Sequence, residues 1–147
     1  MPEINLDSLT FKLFSLENNH NEIQVFSNST NICTGRYYKS KESITLTWIE
    51  TAESMQGRGV ASKVLDYFWE TALSEHLNFK IKVVNEELLT YFYFKWFQKK
   101  VDPENQYNDE VKDKFNELTT QDSLLTLEFT PEHLVWKPEH DQNNLKM

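Results

Sequence analysis

The chain has 147 residues, 39% of them apolar and 26% charged, with a formal charge of −8. That is enough for one domain with a genuine core, and too apolar for intrinsic disorder. The negative charge disfavours nonspecific nucleic-acid binding, no apolar run is long enough to span a membrane, and a single cysteine excludes a disulfide framework and a cysteine-based zinc site. Cys33 reads as a small buried hydrophobe. The opening Met-Pro-Glu-Ile-Asn does not read as a signal peptide, so a cytoplasmic location is the expectation.

In chain order, residues 10–16, 22–27, 33–39 and 43–51 read as strands of an antiparallel meander, separated by Asn-rich turns at 18–21 and 27–31. The last strand alternates strictly, with Ile44, Leu46, Trp48 and Glu50 on one face and Thr45, Thr47, Ile49 and Thr51 on the other. The period then becomes helical. Val60, Val64, Leu65, Phe68, Ala72 and Leu73 predict a helix to about residue 75. Residues 79–84 return to strand, and 86–99 predict a helix buried through Leu88, Leu89, Phe92, Trp96 and Phe97. Asp102-Pro103 interrupts it, and an acidic helix follows near 106–118 with Val111, Phe115 and Leu118 on one side. Residues 124–129 and 134–136 read as final strands, and the tail after 138 as frayed. The expected fold is α/β of the α+β kind, on a mixed, mainly antiparallel twisted sheet. It forms one domain over 1–147, with a core at about 10–100 and an acidic helical insertion at about 102–122.

The informative stretch is Gln56-Gly57-Arg58-Gly59-Val60-Ala61-Ser62, where a strand ends and an amphipathic helix begins. Two of only three glycines in the chain stand here. First-turn amides of a helix lack intrahelical partners and face the positive end of its dipole, so they suit a phosphate. Glycines let a pyrophosphate approach the main chain, and Arg58 adds charge. Residues 56–100 are also the only third with a basic excess, seven basic side chains against five acidic. A Walker loop would need Gly-Lys-Ser/Thr, and a dinucleotide fingerprint would need a third glycine; neither is present. Taken alone, Gly-x-Gly reads more simply as a strand-to-helix turn.

The surroundings reverse that balance. Gln56-Gly57-Arg58-Gly59-Val60-Ala61 resembles the Gln/Arg-x-x-Gly-x-Gly/Ala signature of the GNAT superfamily of N-acetyltransferases, and stands between a central strand and a long helix as it does there. Asn85, followed by Phe92-Tyr93, resembles that family's Asn-x-x-Ala-x-x-Phe-Tyr segment with one extra residue. Together the two motifs cover roughly residues 44–97. The resemblance implies an acyl-CoA site with a strand–loop–helix core. Backbone near Thr51 would pair with the pantetheine arm, and amides of Gly57, Arg58, Gly59, Val60, Ala61 and Ser62 would hold the pyrophosphate beside Gln56. Asn85 would line the channel. Tyr93, or Tyr91 given the extra residue, would protonate the leaving thiolate. No metal is required.

The implied reaction moves acetyl from acetyl-CoA to a primary amine, on a peptide or protein or on a small cationic molecule. A base is harder to place. The face of Thr45, Thr47, Ile49 and Thr51 carries no carboxylate or histidine, while Glu50, the candidate base, points the other way unless a bulge rotates it. Glu53 lies in the loop, and His20, His76, His133 and His140 fall in turns, helix ends or the tail. The segment between the first two strands is too short for the family's usual two helices, which implies an open acceptor site. Residues 102–122 carry seven carboxylates against two lysines. They would draw a cationic amine if they border the acceptor channel, and otherwise form a solvated helix face. The alternative function is a non-catalytic module that keeps the fold and binds CoA or a protein partner.

Overall fold

A computed structural model of the chain describes residues 8–83, 87–104, 109–121 and 125–138. Strands β1 (Thr10–Ser15), β2 (His20–Ser27), β3 (Thr30–Lys39) and β4 (Ser43–Thr51) form the antiparallel meander that alternation predicts. Its turns place Asn18, Asn19 and Asn28 at φ 60°, 64° and 58°, left-handed backbone that asparagine accepts at little cost. Helix α1 (Val60–Glu75) crosses to β5 (Asn78–Lys82), which lies parallel to β4. A π-helical stretch, Leu89–Phe94, runs directly into α2 (Lys95–Val101). Then come α3 (Asp109–Leu118), β6 (Thr119–Gln121), β7 (Leu125–Phe129) and α4 (Pro131–Leu134). Among the described residues the result is a mixed α+β fold on a seven-stranded, mostly antiparallel sheet, in the order β1-β2-β3-β4-β5-β7-β6.

The pairing register assigns the two faces of the sheet. Tyr37 stands opposite Leu46, Gly35 opposite Ile49 and Cys33 opposite Thr51, so these residues share a face. Arg36 opposes Trp48 and Thr34 opposes Glu50 on the other. Between Leu46 and Trp48 the residue Thr47 has no partner on β3, which marks a bulge, and its hydroxyl donates to the Arg36 carbonyl at 3.1 Å. Strict alternation had grouped Ile44 and Leu46 with Trp48 and Glu50. The bulge overturns that grouping: Ile49 and Thr51 continue the face of Leu46, while Trp48 and Glu50 turn to the opposite side.

Helices gather on the Leu46 face. Phe68 of α1 meets Tyr37 and Phe79, and Trp69 meets Phe129. From α2, Trp96 packs edge-on against Trp69 and donates its indole N–H to Asp66 at 3.0 Å, so the buried ring keeps its polar atom satisfied. Phe97 is fully buried between Phe129, Phe115 of α3 and Trp136. Among the described residues no helix covers the opposite face, where Glu22 pairs with Arg36 at 3.5 Å and Lys80 with Glu128 at 3.9 Å.

Other differences from expectation have local causes. Residues 134–136 are not a strand. Thr130 caps a short helix that Pro131 opens, with His133 completing the capping box. The stripe of the second helix is shifted: Tyr93, Phe94, Trp96 and Phe97 are buried, while Leu88 and Phe92 are half-buried, because the π turn inserts a residue into the helical period. Strand β6 is added, and α3 buries Val111, Phe115 and Leu118 as predicted. The frayed tail expected after 138 lies outside the described residues.

Phe97→Ala is expected to cost about 3–5 kcal/mol, the usual loss for emptying a buried aromatic site. Urea denaturation measures it; a loss below about 1 kcal/mol would show that the core does not centre on this ring.

Candidate functional site

Parallel pairing of β4 with β5 runs only from Ser43–Asn78 to Leu46–Ile81. Beyond Leu46, β4 continues to Thr51 with β3 as its one described neighbour, while β5, paired on its other side with β7 over Phe79–Lys82, ends at Lys82, and the Val83 amide that follows donates to the Leu125 carbonyl of β7 at 2.9 Å. The two strands therefore part, and a cleft of about 540 Å³ opens beside the parting. Ile49 and Thr51 form its β4 wall; Met55, Gln56 and Gly57 come from the loop; Gly59, Val60, Ala61 and Ser62 from the entry to α1; and Leu88, Phe92 and Tyr93 from the π-helical side.

The loop is built for this shape. Gly57 and Gly59 take φ 79° and 87°, left-handed values that other side chains resist. A Cβ on Gly57 would meet nothing within 4 Å, so its backbone faces open space. Gln56 donates its side-chain amide to the Thr51 carbonyl at 3.2 Å, tying the loop to the strand end. Gly59 is the N-cap of α1 and has no side chain to satisfy the first-turn amides; no side-chain cap bond is present, and the first turn holds no acidic residue. Among the described residues no side-chain cap meets those amides, and such a helix start, at the positive end of the dipole, suits an external anion. The residues fit a pyrophosphate on this observation.

Arg58 is half-buried between the glycines and is not part of the cleft wall. A neighbouring recess of about 270 Å³ shares Gly59 and Ser62 with the cleft and adds Lys63, Lys99 and Lys100. Lys100 is partly neutralised by Asp66 at 3.5 Å and Glu70 at 3.4 Å.

Tyr93 is 4% exposed, and burial pushes its hydroxyl up to about 12. Its ring lies 5.0 Å from that of Phe92. Glu50 is exposed on the open face with Trp48 and lies outside the cleft, whose wall carries no carboxylate and no histidine among the described residues. Helix α3 contributes nothing to the wall either. Asn85 and the side chain of Tyr91 lie outside the described residues. Among the described residues there is no cluster of three His, Cys, Asp or Glu side chains able to hold a metal, and no helix long and apolar enough to cross a membrane.

The structure thus brings together Thr51, the Gln56–Ser62 segment other than Arg58, and Tyr93. Sequence reasoning did not name Ile49 or Met55 as cleft residues; it read Leu88 as core, and Phe92 as core and as part of the Phe92-Tyr93 motif. The i, i+4 spacing of Leu88 and Phe92 immediately before Tyr93 was the available signal.

No protein-family model matches this chain, and no curated protein matches it. Solved structures do match. A GNAT family acetyltransferase from Elizabethkingia anophelis, with acetyl-CoA bound, superposes with a TM-score of 0.57 at 13% identity, over 84% of this chain and 99% of its own. The IAA acetyltransferase from Bacillus cereus gives 0.54 at 13% identity over the same shares. Tetrahymena GCN5 gives 0.51 at 10% identity, over 78% of this chain and 71% of its own. The chain has the GNAT fold. At these identities the likeness establishes the fold, and the chemistry has to be argued from the site.

Coenzyme A in 100-fold excess over its Kd should stabilise the protein by about 2.7 kcal/mol, roughly 5–10 °C in Tm at this length. Gly59→Asp should abolish the shift by setting a carboxylate against the phosphates. A folded variant that keeps the full shift would move the phosphate site elsewhere.

Proposed function

We propose that the protein is an acetyl-CoA-dependent N-acetyltransferase acting on a primary amine. The observation that carries this reading is the glycine-entered, uncapped start of α1, which opens into a cleft where β4 and β5 part, with Tyr93 in the wall. The N–H groups from Gly57 to Ser62 would hold the pyrophosphate, and Lys63, Lys99 and Lys100 would favour the nucleotide end in the neighbouring recess. The unpaired edge of β4 would receive the pantetheine amides, with Ile49 and Met55 as apolar cover. Acetyl-CoA supplies the acyl group as a thioester.

The amine nitrogen would attack the thioester carbonyl and form a C–N bond. The C–S bond breaks, and the sulfur leaves with its electron pair. Backbone N–H groups freed at the β4 edge would stabilise negative charge on the carbonyl oxygen. Tyr93 would donate to the departing sulfur. A phenol near 12 stays protonated throughout the working range. A free thiol titrates near about 8.5 in water. The dry wall that raises the phenol also raises a thiolate held against it, which narrows the gap between donor and acceptor.

The open face of the sheet would admit the acceptor, since no described helix covers it. This favours a lysine on a peptide or protein, or a small cationic amine, over a small enclosed metabolite. Glu50 is the carboxylate of β4 on that face and is the candidate base. The second reading, a non-catalytic module that binds CoA or a partner, is favoured by one observation: among the described residues the cleft wall holds no carboxylate and no histidine. Thiol release from acetyl-CoA with a panel of amines separates the two.

Tyr93→Phe is expected to lower kcat by roughly 10²–10⁴-fold while leaving the thermal shift by coenzyme A intact. In the wild type, kcat/KM should rise with pH as the acceptor amine loses its proton. It should show no descending limb below about pH 10, because Tyr93 still holds its proton there. A descending limb near pH 8 that disappears in Tyr93→Phe would show that the phenol is far more acidic than its burial implies.

A further inference from the structure

β1 is one of the two outer strands of the sheet, at the far end from the cleft. The phase of its hydrogen bonding can be read directly. The Leu16 amide donates to the His20 carbonyl at 2.8 Å, and Phe14, Lys12 and Thr10 follow in step opposite Glu22, Gln24 and Phe26. Their backbone groups therefore face β2, and those of Phe11, Leu13 and Ser15 face outward. Three of the five most exposed large hydrophobics among the described residues lie on or beside this strand: Leu13 at 52%, Phe14 at 43% and Leu16 at 42%. Natural edges are usually guarded by proline, by bulges or by charges projecting from the strand. β1 has no proline, no acid and no register break against β2. Its single charge, Lys12, lies 4.8 Å over the ring of Phe26 on its own sheet.

We propose that β1 is an association surface for a second copy of this chain, added antiparallel about a two-fold axis normal to the sheet. Such an axis sets one residue opposite its own counterpart. Centring on Lys12 would oppose two ammonium groups at the closest spacing. Centring on Leu13 sets it against the partner's Leu13, sets Phe11 against the partner's Ser15, and lays Lys12 beside the partner's Phe14. That register joins all three outward-facing residues of each strand, about six backbone bonds in total. It also covers one flank of the exposed Leu13 and Phe14 and gives the lysine an aromatic neighbour across the seam. The clefts at β4 and β5 stay open in both copies, so the pairing is independent of the proposed chemistry.

The test is sedimentation over a concentration series together with a cross-link. Wild type should show a concentration-dependent dimer. Leu13→Cys should be joined to its counterpart by a short thiol-specific bifunctional cross-linker, because Cα atoms of a hydrogen-bonded antiparallel pair lie about 5.5 Å apart while their Cβ atoms stand too far apart for a direct disulfide. Wild type should not cross-link, since Cys33 is buried. Leu13→Pro removes an outward N–H and no bond to β2, and should raise the dimer Kd at least tenfold. Leu13→Arg sets like charges across the axis and should do the same if the proline variant unfolds. A wild type that stays monomeric and a Leu13→Cys variant that does not cross-link would overturn the proposal. So would a dimer indifferent to Leu13→Pro and Leu13→Arg, or an edge occupied only by added extended peptide.

Discussion

Among the described residues β4 has a strand on each side from Ile44 to Leu46 and on one side thereafter. A strand held on both sides cannot present backbone to a ligand, because its donors and acceptors are already used. Past Leu46 that constraint lifts. The bulge at Thr47 increases local twist and turns the remaining residues by one face, so that Ile49 and Thr51 look toward the helices at the level where β5 has moved away. The entry to α1 must then begin directly above this gap, since only Ala52–Arg58 separate the strand from the helix N-cap. Cleft, free strand edge and open helix start are thus consequences of one short parallel pairing.

The opposite wall has a separate cause. Leu89–Phe94 winds as a π-helical stretch, which takes up one residue more per turn than an α-helix would. A π turn widens the helix and re-aims the side chains it carries. Here it leaves Phe92 and Tyr93 in the cleft wall while the following α2 keeps Trp96 and Phe97 in the core. The same packing dries Tyr93 and raises its hydroxyl.

Legibility from sequence tracked how local each cause was. The four meander strands and α1 were readable because period and turn residues agree there, as Ser43–Thr51 and Val60–Glu75 show. The phosphate-facing loop was readable because two left-handed glycines in three residues are a local demand. The faces of β4 were not, since the bulge at Thr47 depends on its register with β3 and leaves no mark in the alternation. The shifted stripe on the second helix failed for a similar reason: a π turn is invisible to a 3.6-residue period. α4 carried a legible Thr-Pro start, which the apolar pair Leu134 and Val135 masked as a strand.

The two faces of the sheet divide the work that acyl transfer would require. On the helix side every described cleft residue is uncharged, so none of them offers a carboxylate or imidazole as a base. On the open side the row Glu22, Arg36 and Trp48 is tied together, with the guanidinium 3.5 Å from the carboxylate and 5.0 Å from the indole ring. Glu22 also accepts from Gln24 at 2.6 Å, which leaves it committed to structure. Glu50 stands one row further along, exposed beside a recess formed with Trp48 and residues 31–34. Donor binding and proton acceptance would then be separated by the thickness of one strand. An amine could meet both only by approaching from the open face at the place where β4 and β5 part. On the reading proposed above, nothing described on this face encloses the acceptor, which would favour an amine on a flexible, extended chain over one on a compact molecule.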